Sequence, residues 1–272
     1  KKVIGDCTLY NADCVDVLKK IDNNSIDFIL TDLPYGTTNC KWDIIIPFDI
    51  MWENLKRIIK VNGCIALFGT EPFSSNLRLS NIDWFKYDWY WNKKRISNPL
   101  LAKKQPLRNI ELISVFYKKQ PTYNPQPTEK NTSVGLSQKR HDTKHETETV
   151  NSKYIVDRNL SKIGYPKSLL DHIKVINNLT KDKSGLHPTQ KPIELCEYLI
   201  KTYTNEDDLV LDFTMGSGTT GVACKNTNRN FIGIEKDTEY FKIAEERIEK
   251  AYQEPDLFVL PPTEIKQEVM EL

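Results

Sequence analysis

Two short apolar runs in this sequence each end in an acidic residue and a loop of polar, Pro or Gly residues. Residues 26–30 precede Asp32-Leu33-Pro34-Tyr35, and residues 209–211 precede Asp212 and a loop with two glycines. Short apolar runs bounded by turn residues are typical of buried parallel strands, which are covered by helices on both faces. Ligands of such open sheets bind at the carboxyl ends of the strands. The two runs therefore predict one α/β sheet with a binding site beside Asp32 and Asp212.

The order of the remaining elements favours a doubly wound, mostly parallel sheet. Strands are expected over residues 8–11, 26–30, 64–68, 84–91, 110–117, 209–211 and 231–235. Helices are expected over residues 13–21, 48–59, 72–81, 192–203 and 238–252, with another after residue 220 and a short helical stretch over 169–176. The runs 84–91 and 110–117 are rich in aromatic and β-branched residues and are expected to be antiparallel strands at the sheet edge. In the helix over 48–59, Ile50, Met51, Leu55 and Ile58 are expected to share one face.

The charge is unevenly distributed along the 272 residues. The formal net charge is only +1, but residues 93–185 carry 19 Lys and Arg against 8 Asp and Glu, and the rest of the chain carries 19 against 29. A basic segment on an acidic body indicates a polyanionic partner. The alternative is a solvated basic face that binds nothing.

The six cysteines show no metal-binding or disulfide pattern. They lie at positions 7, 14, 40, 64, 196 and 224, with no Cys-x-x-Cys pair and no His at metal-ligand spacing. We expect reduced thiols, no bound metal and a cytoplasmic protein.

No apolar run approaches the roughly 18 residues of a membrane span, and no signal peptide is recognisable, so no membrane partner is expected.

The first loop offers groups that suit a flat ring bearing an amine. Asp32 and the Leu33 carbonyl can accept hydrogen bonds from the amine, Pro34 stiffens the turn, and Tyr35 can stack on the ring. The alternative is an ordinary strand-to-turn junction.

The second loop offers groups that suit a nucleoside with a charged tail. Gly216 and Gly218 let the backbone approach a ligand, and Glu235, at the end of the next predicted strand, can accept hydrogen bonds from a ribose diol. The pattern is neither the three-glycine dinucleotide fingerprint nor a P-loop. Because Asp212 would repel a pyrophosphate but attract an ammonium group, S-adenosylmethionine fits better than NAD. The alternative is a pair of glycines needed only for a tight turn.

Three motifs in one order resemble a known family. Asp32-Leu33-Pro34-Tyr35, then the segment His-Pro-Thr-Gln-Lys-Pro over 187–192, then the segment Asp-Phe-Thr-Met-Gly-Ser-Gly-Thr-Thr over 212–220 are similar to the motifs of β-arrangement amino-methylating DNA methyltransferases, which act on adenine N6 or cytosine N4. The resemblance spans about residues 6–250. It implies a circularly permuted, Rossmann-like methyltransferase sheet, S-adenosylmethionine as cofactor and double-stranded DNA as partner.

The resemblance also implies a division of the chain. Residues 1–118 would form the catalytic half, 119–185 an inserted basic target-recognition region, 186–253 the cofactor-binding half and 254–272 a tail. A homodimer and a companion restriction endonuclease remain open.

The same resemblance assigns roles to individual residues. It implies catalytic roles for Asp32, Leu33, Pro34 and Tyr35, with Tyr35 stacked on an extruded base. It implies cofactor contacts for Asp13 (adenine), Glu235 (ribose), His187, Thr189 and Lys191 (methionine moiety), and Asp212, Phe213, Gly216, Ser217, Gly218, Thr219 and Thr220 in the loop. The basic candidates for DNA contact are Lys41, Arg95, Lys103, Lys104, Arg108, Lys139 and Arg140.

The expected reaction is methylation of a flipped adenine at N6, because a stacked base cannot present its amine to a sulfonium. The usual family motif has Pro where this chain has Leu33, and the backbone carbonyl survives that change. Asp32 favours adenine because cytosine-N4 enzymes of the family commonly carry Ser there. Cytosine-N4 methylation, RNA adenine methylation, a small-molecule substrate and a DNA-binding protein with a relic site remain the alternatives.

Overall fold

A nine-stranded sheet organises the chain in the computed structural model, which describes residues 1–36, 43–126, 128–129, 163–173 and 190–253. Its strands are β1 (Lys2–Ile4), β2 (Cys7–Asn11), β3 (Ile26–Asp32), β4 (Ile59–Gly69), β5 (Phe85–Asn92), β6 (Ile110–Phe116), β9 (Leu169–Leu170), β10 (Leu209–Asp212) and β11 (Asn230–Glu235). The strand order is β1-β2-β11-β10-β3-β4-β6-β5-β9. Two further short strands, β7 (Thr128–Glu129) and β8 (Ile163–Gly164), pair only with each other.

The helices are α1 (Cys14–Leu18), α2 (Phe48–Ile58), α3 (Phe73–Leu79), α4 (Ile193–Tyr203), α5 (Thr219–Asn226) and α6 (Thr238–Gln253). Helices α1 to α3 bury residues such as Leu18, Leu55 and Leu77 in one apolar cluster. Helices α4 to α6 bury residues such as Leu199, Ala223 and Ala244 in a second cluster. The sheet is therefore covered on both faces, and the predicted doubly wound α/β fold is confirmed.

The five strands β2, β11, β10, β3 and β4 run parallel. Their carboxyl ends consequently meet at one edge of the sheet. Strand β6 is antiparallel to both β4 and β5, which confirms the predicted antiparallel pair. Strand β6 therefore begins, and β5 ends, at the same edge as the carboxyl ends of the parallel strands. The two predicted halves share this sheet, since β10 pairs with β3.

Three details differ from the sequence-based expectations. The helical stretch expected over 169–176 is wrong for its described residues, because Leu169 and Leu170 form β9, which pairs in parallel with Tyr90 and Trp91. This segment forms backbone hydrogen bonds with the otherwise open edge of β5, and Leu170 and Ile173 are buried against the sheet. Strand β1 was not predicted. Ile50 is exposed rather than on the inner face of α2.

The five described cysteines are free thiols, four of them buried. Within the described ranges, no helix is both long and apolar enough to cross a bilayer.

Candidate active site

A cavity of about 620 Å³ opens at the carboxyl edge of the parallel strands. This volume lies within the range of roughly 300–1,000 Å³ that small-ligand sites occupy. The residues predicted from the sequence that line it are Asp13, Asp32, Leu33, Pro34, Lys191, Asp212, Phe213, Gly216, Ser217, Thr219, Thr220 and Glu235. The two predicted loops therefore face one shared space.

The strand order sets the spacing along this cavity. Strand β11 ends at Glu235, β10 ends at Asp212 and β3 ends at Asp32, and these strands are consecutive neighbours. Neighbouring strands lie about 4.8 Å apart, so Glu235 and Asp32 mark points roughly 10 Å apart along the edge. A ligand with its ribose at Glu235 can therefore extend toward Asp32.

The Asp32 carboxylate is held by two side chains. The Tyr35 hydroxyl donates a hydrogen bond of 2.6 Å to Oδ1, and the Lys191 ammonium lies 2.7 Å from Oδ2. The Tyr35 ring packs against Phe73 with centroids 5.1 Å apart. Burial, reinforced by the nearby Asp32 charge, raises the pKa of Tyr35 well above its usual value, so the phenol stays a hydrogen-bond donor. Tyr35 is not among the residues described as lining the cavity.

Lys191 bridges Asp32 to a second acid that the sequence analysis missed. Its ammonium lies 2.6 Å from Glu111 Oε1, and Lys93 lies 3.3 Å from Glu111 Oε2. Burial opposes the charge of Lys191, but the carboxylates of Asp32 and Glu111 outweigh burial and raise the pKa of the ammonium. Burial likewise opposes the charge of Glu111, yet the two lysines lower the pKa of its carboxyl group. Lys191 and Glu111 are therefore both charged at neutral pH.

Asp212 connects the ends of β10 and β3. Its Oδ1 accepts hydrogen bonds from the Thr31 hydroxyl and the Thr214 N–H, both 3.2 Å, and its Oδ2 accepts one of 2.7 Å from the Thr220 hydroxyl. Burial raises the pKa of Asp212 to about 7 despite these donors. A cationic ligand group at this carboxylate would stabilise its charged form.

The glycines of the second loop have different surroundings. Gly216 has φ +51°, and a Cβ there would meet nothing within 4 Å. Gly218 has φ +76°, and a Cβ there would lie 2.8 Å from Ala244 Cβ. Gly216 thus leaves open space at the cavity wall, whereas Gly218 permits the close packing of α5 on α6.

Two acids lie at the opposite end of the cavity from Asp32. Glu235 accepts hydrogen bonds from the backbone N–H groups of Gly216 (2.9 Å) and Asp237 (2.8 Å). Burial raises the pKa of Glu235. Asp13 caps α1 by accepting from Val15 N at 3.0 Å, and it pairs with Lys236, also at 3.0 Å. The hydrogen bond from Lys236 lowers the pKa of Asp13.

Arg247 on α6 is a further residue that the sequence analysis missed. Its guanidinium donates to the Ser217 carbonyl, to Ser217 Oγ at 3.0 Å and to Thr219 Oγ1 at 3.2 Å. Burial lowers the pKa of Arg247. Arg247 therefore fixes the second loop from the side of the helix layer.

The basic candidates divide into two groups. Arg95, Lys103, Lys104 and Arg108 are exposed in the loop between β5 and β6, at the same sheet edge as the cavity. Arg108 donates a hydrogen bond of 3.1 Å to the Glu71 carbonyl, which anchors this loop. Lys41, Lys139, Arg140, His187 and Thr189 lie outside the described residues, as does the predicted tail over 254–272. Within the described ranges, no cluster of His, Cys, Asp or Glu is arranged to hold a metal ion.

Comparison with known proteins identifies the family. The family model described as DNA methylase, of the N6/N4 methyltransferase type, matches residues 26–246. Because this match covers most of the chain, the protein belongs to the N6/N4 DNA methylase family.

Individual relatives agree with this assignment. The Type II methyltransferase M2.LlaDCHI of Lactococcus lactis subsp. cremoris is 30% identical, over 89% of each chain. The Type II methyltransferase M.HpaI of Haemophilus parainfluenzae is 29% identical, over 91% of this chain and 76% of its own.

Solved structures share the fold. The M1.HpyAVI–SAM complex has 28% identity and a TM-score of 0.56, covering 89% of this chain and 98% of its own. The cytosine-N4-specific PvuII DNA methyltransferase has 18% identity and a TM-score of 0.60, covering 91% of each chain, and shows the likeness of fold alone.

Proposed function

We propose that this protein transfers the methyl group of S-adenosylmethionine to the N6 amine of an adenine flipped out of duplex DNA. The observation that carries this proposal is the single cavity that joins Asp32 and Leu33 at one end to Gly216, Glu235 and Asp13 at the other. That arrangement holds an amine and a nucleoside donor within reach of each other.

The cofactor end supports S-adenosylmethionine, which supplies a methyl group on a positively charged sulfur. Glu235 retains acceptor sites for the ribose hydroxyls beyond its two backbone hydrogen bonds, and Asp13, which lines the same cavity, would meet the adenine. Asp212 lines the cavity beside the open face of Gly216 and offers a carboxylate to the methionine ammonium. The cavity also has apolar walls, including Ile44, Ile45 and Phe213.

The catalytic end supports an amine substrate. Asp32 and the Leu33 carbonyl accept hydrogen bonds from the two N6–H groups. This placement turns the nitrogen lone pair toward the methyl group. The N6–CH₃ bond forms as the S–CH₃ bond breaks, S-adenosylhomocysteine leaves, and the proton lost by N6 passes to the Asp32 carboxylate. The substrate nitrogen is the nucleophile, so no protein nucleophile is required.

Adenine is favoured over cytosine by the carboxylate at position 32. A carboxylate accepts hydrogen bonds more strongly than a Ser hydroxyl, which cytosine-N4 members of the family commonly carry. The fold itself does not discriminate, because the cytosine-specific PvuII enzyme shares it.

Duplex DNA is favoured over RNA and small molecules by the relatives and by the basic loop. The relatives are named Type II methyltransferases, and Arg95, Lys103, Lys104 and Arg108 extend a basic surface from the cavity edge. A companion endonuclease and a homodimer remain predictions.

A labelled-methyl assay tests this proposal. Purified protein is incubated with S-[methyl-³H]adenosylmethionine and, separately, unmethylated plasmid DNA, total RNA and free nucleosides. We expect label in the plasmid DNA alone. Label in RNA or in nucleosides, with none in DNA, would contradict the proposal.

A further inference from the structure

The contact between Lys191 and Asp32 conflicts with the binding of a substrate amine. One carboxylate oxygen of Asp32 accepts from Tyr35, and the other is 2.7 Å from the Lys191 ammonium. Lys191 also lines the cavity. The ammonium therefore competes with an arriving amine for the free face of Asp32.

The reaction itself makes this contact unfavourable. The substrate nitrogen acquires positive charge as it takes the methyl group, and a lysine ammonium at hydrogen-bond distance from the same carboxylate would repel that charge. Lys191 must consequently leave Asp32 before transfer. A buried ammonium that leaves one carboxylate needs another, because an unpaired buried charge is costly.

Glu111 is that second carboxylate. It lies 2.6 Å from the Lys191 ammonium, and its side chain is only 6% exposed. Lys93 contacts its other oxygen at 3.3 Å, which keeps Glu111 oriented and charged. Because the ammonium already contacts both carboxylates, loss of its contact with Asp32 leaves it paired with Glu111.

We infer that the Lys191 ammonium occupies, in the absence of DNA, the position on Asp32 that the target amine takes when the base is bound. Glu111 is then a positioning residue that pairs with the Lys191 ammonium once the base has displaced it from Asp32. This inference rests on the proposed function. It assigns Glu111 a role exerted through Lys191.

A double-mutant cycle tests the inference, with steady-state kcat and KM measured on unmethylated plasmid DNA for wild type, Glu111→Gln, Lys191→Met and the double variant. In Glu111→Gln the ammonium has only Asp32 as carboxylate partner, so we expect the KM for DNA to rise at least tenfold while the Kd for S-adenosylmethionine changes less than threefold. Because Glu111 acts through Lys191, the double variant should match Lys191→Met within threefold. Glu245→Gln on α6, which alters an ion pair with Lys2 of β1, is the matched control.

Two outcomes of the cycle overturn the inference: an unchanged KM in Glu111→Gln, or full additivity in the double variant. If the wild type methylates DNA and the cycle is additive, the proposed function holds and only this inference is rejected. A wild type that does not methylate DNA removes the proposed function itself.

A structure of the wild type makes the test independent of variant folding. The protein would be crystallised with S-adenosylhomocysteine and a duplex containing the site mapped from methylated DNA. We expect Lys191 Nζ within hydrogen-bond distance of Glu111 and more than 4 Å from Asp32. Lys191 retained on Asp32 beside a bound base would overturn the inference.

Discussion

The Thr214 hydroxyl donates a hydrogen bond of 2.9 Å to the backbone carbonyl oxygen of Asp32. Thr214 belongs to the loop after β10, whereas Asp32 ends β3, so this bond joins the two loops of the site directly. It fixes the start of the first loop relative to the wall of the cavity that the second loop forms.

Replacing Thr214 by Val should separate these loops slightly while preserving side-chain volume. The lost hydrogen bond is worth about 1 kcal/mol, and misplacement of the reacting atoms by a fraction of an ångström adds to this cost. We expect kcat to fall roughly tenfold, as that free energy and the misplacement imply, with little change in cofactor affinity. Thr227→Val, which removes a buried hydroxyl that donates to the Ala223 carbonyl at the C-terminal end of α5, is the control and should retain kcat. Equal kcat in Thr214→Val and wild type would contradict the role of this bond.

Cofactor affinity should depend on the protonation of Asp212. Burial raises the pKa of Asp212 to about 7, so below that pH the free protein carries a neutral carboxyl group. An ammonium group binds the charged form, and binding must therefore release a proton at acidic pH. Affinity should rise about tenfold per pH unit below the pKa and level off above pH 7, before the amine of the ligand itself titrates near pH 8.

Isothermal titration of S-adenosylmethionine between pH 5.5 and 7.5 measures this dependence. Two buffers of different ionisation enthalpy report the proton released at pH 6. Asp212→Asn should flatten the profile. A wild-type affinity that is constant over this range would show that Asp212 does not meet the ammonium.

The two loop glycines should respond differently to alanine. At Gly218 a Cβ combines a left-handed φ with a 2.8 Å approach to Ala244, and overpacking with strain costs about 2–4 kcal/mol. We expect Gly218→Ala to lower Tm by roughly 5–10 °C.

Gly216→Ala carries only the backbone strain, because its Cβ would meet nothing within 4 Å. This variant should lose about 1–2 kcal/mol of stability yet bind S-adenosylmethionine distinctly more weakly, since the methyl group enters the cavity. Thermal melts and cofactor titrations measure both effects. A larger decrease in Tm for Gly216→Ala than for Gly218→Ala would contradict the close contact between Gly218 and Ala244.

Much of this site could be predicted from the sequence because its acids follow directly after apolar strands. Asp32, Asp212 and Glu235 each end a buried strand, and parallel strands bring such ends together. The alternation of strands and helices likewise predicts the doubly wound sheet.

Glu111 and Arg247 could not be predicted in the same way. Glu111 is a charged residue in a strand, and such a residue is usually predicted to face solvent. Its partner Lys191 lies 80 positions away in the chain, so sequence spacing does not connect the two. Arg247 lies on a helix rich in charged residues, and nothing in that pattern separates it from solvated neighbours. The strand β9 was predicted as a helix because local spacing carries no information about the free edge of β5.

The exposed basic loop between β5 and β6 should contribute to DNA affinity through phosphates. We expect Lys103→Ala combined with Lys104→Ala to raise the KM for plasmid DNA severalfold and to reduce the slope of log affinity against log salt by about 1 to 2. Lys19→Ala with Lys20→Ala, two exposed lysines that directly follow α1, is the matched control. An unchanged salt dependence in the variant that lacks Lys103 and Lys104 would show that these lysines do not contact DNA phosphates.

Nucleoside analysis of DNA from cells that express the wild type or Asp32→Ala tests the central claim most directly. The account predicts N6-methyladenine with the wild type and none with Asp32→Ala, while the purified variant still binds S-adenosylmethionine. N4-methylcytosine in place of N6-methyladenine, or equal methylation by the variant, would contradict it.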